Sequence, residues 1–401
     1  MRNETTARLA PERATSPGPM RAVRLGAAVG GLAQSLTGAA GALLAHQVSG
    51  SEAAAGLPQT ALVAGAVISA ATASRLAASF GRRRVMAAGA VAAVIGSALV
   101  AAGAAETALV PILAGFAMLG SGTAVVMLCR YAAAELVPES DRAKAMSSVL
   151  VATTVGAVAG PNLLAPAGAA AEAVGLAALI GPFVFGVVGF ALTALILGAG
   201  MADAPRPEPD RDTPRAGSVP ISSAAPALAV LALSNLVMVA VMTMAPVRMG
   251  HFHASLSLIG LVVSLHVAGM FAPSPLSARL VDRIGAPRTA VLGSLVMASS
   301  CLAATVLDGS ALGMAVTMTG LGVGWNLGLV SGSAMLTASL PREVRLRREG
   351  TGEVGMGLAA ATGGIACGPV AAWGGYGLLA VGGAAAAGLI AAIVRRVDSE
   401  G

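Results

Sequence analysis

Charge is scarce in this chain: only 11% of its 401 residues are Asp, Glu, Lys or Arg, against about a quarter in an average soluble protein. That shortage excludes a water-soluble globular domain, because 56% apolar residues and a mean hydropathy of +0.81 are too much to hide in one core. Aromatic side chains are also few, at 3%. The three cysteines, Cys129, Cys301 and Cys367, fall in or beside apolar stretches without metal-ligand spacing. They read as small packing residues, and no metal site is expected. No Gly-x-x-x-x-Gly-Lys-Ser/Thr element occurs, so nucleotide-driven work by this chain alone is excluded and no cofactor is expected. Nor do catalytic groups converge within the apolar stretches, and the chain does not read as an enzyme.

What is present is apolar sequence in lengths of about 20 residues, the span of a bilayer. Twelve such runs lie near residues 23–49, 56–74, 85–104, 107–129, 145–167, 174–200, 224–247, 256–277, 289–307, 311–339, 354–373 and 376–394. The first exceeds a signal-peptide core of roughly 7–15 residues and is read as retained. Residues 201–222 are rich in proline and charge and read as a solvated linker. The expected fold is an all-α polytopic membrane protein of twelve transmembrane helices in two pseudo-symmetric six-helix bundles. Its organisation is a cytoplasmic tail (1–22), a first bundle (23–200), a linker (201–222), a second bundle (223–396) and a short cytoplasmic tail (397–401).

Positive charge alternates with these runs. With the N-terminus in the cytoplasm, 24 of the 25 basic residues lie on the cytoplasmic side and Arg248 alone on the other. The positive-inside rule then puts both termini in the cytoplasm. The pI near 10.2 reflects this topology and implies no nucleic-acid partner.

Two halves of the chain carry the same signatures. Ser74-Arg75-Leu76-Ala77-Ala78-Ser79-Phe80-Gly81-Arg82-Arg83-Arg84 aligns with Ala278-Arg279-Leu280-Val281-Asp282-Arg283-Ile284-Gly285-Ala286-Pro287-Arg288, 204 residues later. Gly156-Ala-Val-Ala-Gly160-Pro161 recurs 208 residues on as Gly364-Ile-Ala-Cys-Gly368-Pro369. Small residues four apart bare the backbone of one helix face, and proline permits a kink. A third pair joins Gly115 and Gly120-Ser-Gly122 to Gly320 and Gly322-Val-Gly324.

These residues resemble the major facilitator superfamily over essentially the whole chain after the tail. The loop after helix 2 in that family reads Gly-x-x-x-Asp-Arg-x-Gly-Arg-Arg; the second copy here keeps Asp282-Arg283-Ile284-Gly285, whereas the first has Ala78 and Ser79. The resemblance implies a cytoplasmic gate drawn from Arg75, Arg82, Arg83, Asp282, Arg283, Arg288 and Glu353, with its acid-dependent latch in the second half. Arg130 is a further candidate for an ion pair at that gate. Gly156, Gly160 and Pro161 of helix 5 resemble the antiporter signature of drug and metabolite exporters, and Gly364, Gly368 and Pro369 form the matching packing and kink motif of helix 11. The stretches from Ala245 to Gly285 and from Arg130 to Leu163 are similar to an actinobacterial-type branch with a His-rich loop, here His251-Phe252-His253. The implied protein is a monomeric, multi-pass carrier in a bacterial cell membrane that exports small molecules by alternating access, with protons as the coupling ion. A nutrient importer and a non-transporting scaffold are the alternatives. The coupling Arg that exporters carry in helix 4 is replaced by Pro111.

Candidate site residues follow from where polar groups interrupt apolar runs. Gln34, Ser35, Asn162, Asn235, His266, Trp325 and Asn326 are expected to line a substrate cavity between the halves, with Trp325-Asn326 the strongest pair because it offers a ring and an amide. His266, deepest in an apolar run, and His46, near the outer end of the first, are the coupling candidates. So aliphatic a cavity suits a neutral, amphipathic or lipophilic small molecule.

Overall fold

The structure, a computed structural model, describes residues 17–138, 141–201, 224–337 and 342–400. The linker expected at 201–222 therefore lies, Met201 apart, outside the described residues. Among those described there is no strand. The first half comprises α1 (Pro17–Ser49), α2 (Leu57–Phe80), α3 (Arg82–Ala105), α4 (Leu109–Glu135), α5 (Arg142–Ala159), α6 (Leu164–Ala173) and α7 (Gly181–Gly200). The second comprises α8 (Ala225–His251), α9 (Leu256–Phe271), α10 (Ser274–Ile284), α11 (Ala286–Leu307), α12 (Ala311–Thr337) and α13 (Arg342–Glu400). Helix α1 starts six residues before the expected run, with Pro17 in its first turn where the missing amide costs nothing. At the other end α13 runs on to Glu400, through the segment expected to be a tail.

Eleven stretches among the described residues are long and apolar enough to cross a membrane. The last, Thr351–Arg396, holds 46 residues, about 69 Å of helix at 1.5 Å per residue and twice a bilayer core. It is a hairpin. At Gly375 the backbone leaves helical geometry (φ 73°, ψ 176°), a conformation open to glycine. Before that point Gly352 lies against Leu231 and Gly363 against Ala240. After it Gly383 meets Val241, and Ile390 and Val394 share a buried cluster with Val230. The chain climbs α8 and comes back down, which makes twelve crossings.

Two crossings are broken. Crossing 5 passes from α5 through a 3-10 turn, Gly160–Leu163, into α6, as Pro161 denies the helix an amide donor. Crossing 8 breaks between α9 and α10 at Ala272 and Pro273. In crossing 11, by contrast, Pro369 stays inside a continuing helix.

The buried apolar residues are distributed unevenly between the two ends. Away from the arginines one continuous cluster joins both halves and includes Leu44, Ile112, Phe183, Met244 and Ile259. Toward the basic end it divides. Val23, Met86, Cys129 and Leu197 cluster within the first half, while Ala224, Leu231 and Leu336, and Val230, Ala290 and Val394, do so within the second.

Candidate functional site

Trp325 and Asn326 are neighbours on α12, and the helical turn of about 100° per residue sends them to different interfaces. The Trp325 indole N–H donates to the Asn235 side-chain oxygen at 3.1 Å, and the Asn235 amide donates to the Met356 carbonyl at 2.8 Å. Phe271 meets the indole edge-on at 6.2 Å. Around the ring lie Met238, Val239, Met270, Met356 and Ala360 of the second half and Val63 of the first. This is an apolar, methionine-rich layer where the halves meet, and thioethers adapt to varied shapes. Composition hinted at no such layer, because its methionines come from three separate crossings.

Asn326 does not line the cavity as expected. Only 1% exposed, it donates to the Met270 carbonyl at 2.7 Å and the Ser274 hydroxyl at 2.9 Å, and accepts from Ser277 at 2.6 Å. These are the residues of the crossing-8 break. Pro275 leaves the Phe271 carbonyl without its helical donor, and the Ser274 hydroxyl supplies one at 2.8 Å. Asn326 is thus a structural clamp on that break. His266 is likewise fully buried: its Nδ1 sits 2.8 Å from the Met318 carbonyl, so it carries the proton there, and Nε2 has no partner. Ser35 donates to the Ala157 carbonyl at 2.7 Å, Gln34 is half-buried, and Asn162 donates to Ser264 at 2.8 Å across the two halves.

The far end is sealed by backbone contact. A Cβ at Gly56 would overlap the Gly364 carbonyl, and one at Gly260 the Pro161 carbonyl, so two small-residue contacts bring crossing 2 onto 11 and crossing 5 onto 8. The Gly-Pro motifs therefore serve different ends. Gly156 lies against the Ala28 carbonyl of its own half, whereas Gly364 and Gly368 face Thr60 and Glu52 of the other. Beside this seam His251 Nε2 lies 3.3 Å from Glu52 Oε1, and the His46 and His251 rings pack edge-on at 5.8 Å. No group of three metal-ligating side chains suited to an ion occurs among the described residues.

A twofold-repeated helical bundle sealed at one end invites comparison with known carriers. The sequence profile of the Major Facilitator Superfamily matches residues 24–249 and again 227–400. The chain belongs to this superfamily. It is 33% identical over 372 residues to the uncharacterized MFS-type transporter YddS of Bacillus subtilis (strain 168), covering 88% of this chain and 85% of that one. The Brucella anthropi riboflavin transporter RfnT is 29% identical over 303 residues, covering 74% and 75%. Among solved structures, a bacterial homologue of the human lysosomal transporter Spinster, inward-facing and unoccupied, superposes with a TM-score of 0.69 at 16% identity, covering 95% of this chain and 96% of that one. A POT family transporter gives 0.72 at 12%, covering 95% and 96%. At such identities the likeness is one of fold.

In this facilitator the ion pairs at the basic end differ from the expected latch. Asp282, Arg283 and Arg288 are exposed, and Asp282 has no ion-pair partner among the described residues. Helix α10, which carries it, packs on α11 and α12 of its own half. The apolar clusters of the two halves are separate there, and among the described residues the acid meets no cation. The close pair lies instead in the first half, where Arg82 meets Glu135 at 2.7 Å. Arg83 donates to the Gly198 carbonyl at 3.3 Å, and Arg75 is exposed. Arg130, stacked over Tyr131 at 4.8 Å, reaches Glu353 of the other half at 3.7 Å. Pro111, read as the site of a missing coupling arginine, lies in the first turn of α4 at the far end, well away from mid-helix.

Proposed function

We propose that this facilitator exports small neutral, lipophilic or amphipathic molecules from a bacterial cell, as a monomer, by rocking residues 23–200 against 223–396. The basic end and both termini face the cytoplasm in this reading, by the charge bias of the loops. The structure then represents an inward-facing state, closed outside. The observation that carries it is the Trp325 layer, apolar, methionine-rich and built from both halves on the cytoplasmic side of the seam. Adaptable apolar walls with one indole suit lipophilic cargo better than phosphates or sugars. Proton antiport supplies the energy, with His266 and His46 as candidate carriers. His266 holds an unpartnered ring nitrogen in a buried site, where an ionisable group is costly to keep without a function.

The test is accumulation of lipophilic dyes in everted vesicles under an imposed pH gradient. Gradient-dependent accumulation, lost on His266→Ala at unchanged protein level, is expected; equilibration independent of the gradient would overturn export by antiport. Uptake of a nutrient is the second reading, favoured by the likeness to a riboflavin transporter. It predicts flux in the opposite direction in the same vesicles.

A further inference from the structure

We propose that His251 is a proton-binding site that latches the far seam, so that acid outside the cell holds the outer gate shut. The inference rests on the alternating-access reading, in which that seam must open once per cycle.

The geometry joins the two halves at a titratable point. His251, in the last turn of α8, faces Glu52 in the 3-10 turn that follows α1, at 3.3 Å. Imidazoles as a class gain or lose a proton within the physiological pH range, and a protonated ring here would form an ion pair with Glu52 that a neutral ring would not. The neighbours leave His251 as the switch. From α1 comes His46, whose ring packs edge-on against His251 at 5.8 Å, while the carboxylate of Glu52 faces His251 alone. On α8 itself Arg248 is engaged by Asp308, at the end of α11, through bonds of 2.8 and 3.3 Å, which neutralises it. From α13 the titratable group is Tyr376, whose hydroxyl donates to Met318 Sδ at 3.9 Å. His253, next along the chain, sits in a left-handed turn (φ 56°).

Protons have a way in. A cavity of about 60 Å³, lined by Glu52, Arg248, His251 and Tyr376 among others, lies against the pair. That is room for water, which needs only about 10–15 Å³ of such space per molecule. Both side chains are partly exposed, 39% for His251 and 24% for Glu52, so exchange needs no opening of the bundle. The consequence has a definite sign. Protonation adds attraction across the seam and favours the state seen here, while deprotonation removes it and lets the outer ends part.

Spin labels on Gln47→Cys and Gly309→Cys, one on each half at this end, read the seam by pulsed distance measurement in nanodiscs of phosphatidylethanolamine and phosphatidylglycerol. Going from about pH 5.5 to about pH 8.5, either side of imidazole titration, the ratio of short to long distances should fall roughly two- to five-fold, as expected for a partly exposed ion pair. His251→Gln and Glu52→Gln should each abolish that response, and His251→Arg should hold the short distance at every pH. A wild-type distribution unchanged by pH, or a full response surviving in either neutral variant, overturns the latch. Vesicle transport separates the two readings: a pH-responsive seam without export would sink the function and spare the latch, and export over an indifferent seam would do the reverse.

Discussion

Asn235 accepts the Trp325 indole proton at 3.1 Å and donates to the Met356 carbonyl at 2.8 Å, so one side chain ties crossing 7 to crossings 10 and 11. Asn235→Leu strips the indole of its acceptor while keeping bulk. It should lower stability by about 1–3 kcal/mol, the cost of an unpaired buried polar group, and broaden or shift the range of transported dyes. Thermal unfolding in detergent checks the first outcome and a dye panel in everted vesicles the second.

Asn326 should behave differently. As the clamp on the crossing-8 break it contributes to folding, so Asn326→Ala should reduce the melting temperature and expression. The protein that does fold should keep the substrate range of the wild type. A selective loss of one substrate at unchanged melting temperature would return Asn326 to the cavity wall.

The seam is sensitive to single methyl groups. Gly260→Ala places a Cβ on the Pro161 carbonyl, and Gly56→Ala one on that of Gly364. Gln47 and Gly309 are exposed on the two halves at this end, and either change should prise it open and lengthen the distance between labels on Gln47→Cys and Gly309→Cys. The native thiols give no background, because Cys129, Cys301 and Cys367 are buried to within 1%; they should label only after denaturation.

His266→Asn separates packing from proton transfer. Its amide nitrogen occupies the place of Nδ1 and keeps the bond to the Met318 carbonyl, but nothing remains to titrate. Normal thermal stability with loss of gradient-driven export is the expected result. Wild-type export would show that His266 serves packing alone.

At the basic end the structure moves weight from Asp282 to the first half. The Arg82–Glu135 pair, with side chains 29% and 41% exposed, should give a coupling energy of roughly 0.2–1 kcal/mol in a double-mutant cycle on stability. On the alternating-access reading, Asp282→Asn should leave stability unchanged and alter only the population of a state in which the basic ends of the two halves close on each other. Distances measured between labels at the basic end would detect that shift.

Much of this architecture could be read from the sequence, and the reason is the solvent. In a bilayer every backbone polar group must be satisfied internally, so apolar length alone dictates helices, and arginine placement dictates which loops share a face. The hairpin at Gly375 follows the same logic, since 46 residues exceed what one crossing can use. The site was less accessible. Trp325 and Asn326 look alike as polar interruptions of one apolar run, yet one joins the central layer and the other repairs a helix break in a neighbouring crossing. Glu52 resembled an ordinary solvated helix end, and His251 stood out only as part of a His-rich loop, with nothing to join the two.

By itself, then, the sequence determined the helices, their number and their duplication, because those depend on local hydrophobicity and on repeats along one chain. Tertiary structure alone decided which end is sealed, that Arg82 pairs with Glu135 while Asp282 has no ion-pair partner among the described residues, and that His251 meets Glu52. Those are contacts between helices distant in sequence, set by how closely bare glycine backbones let the two halves approach.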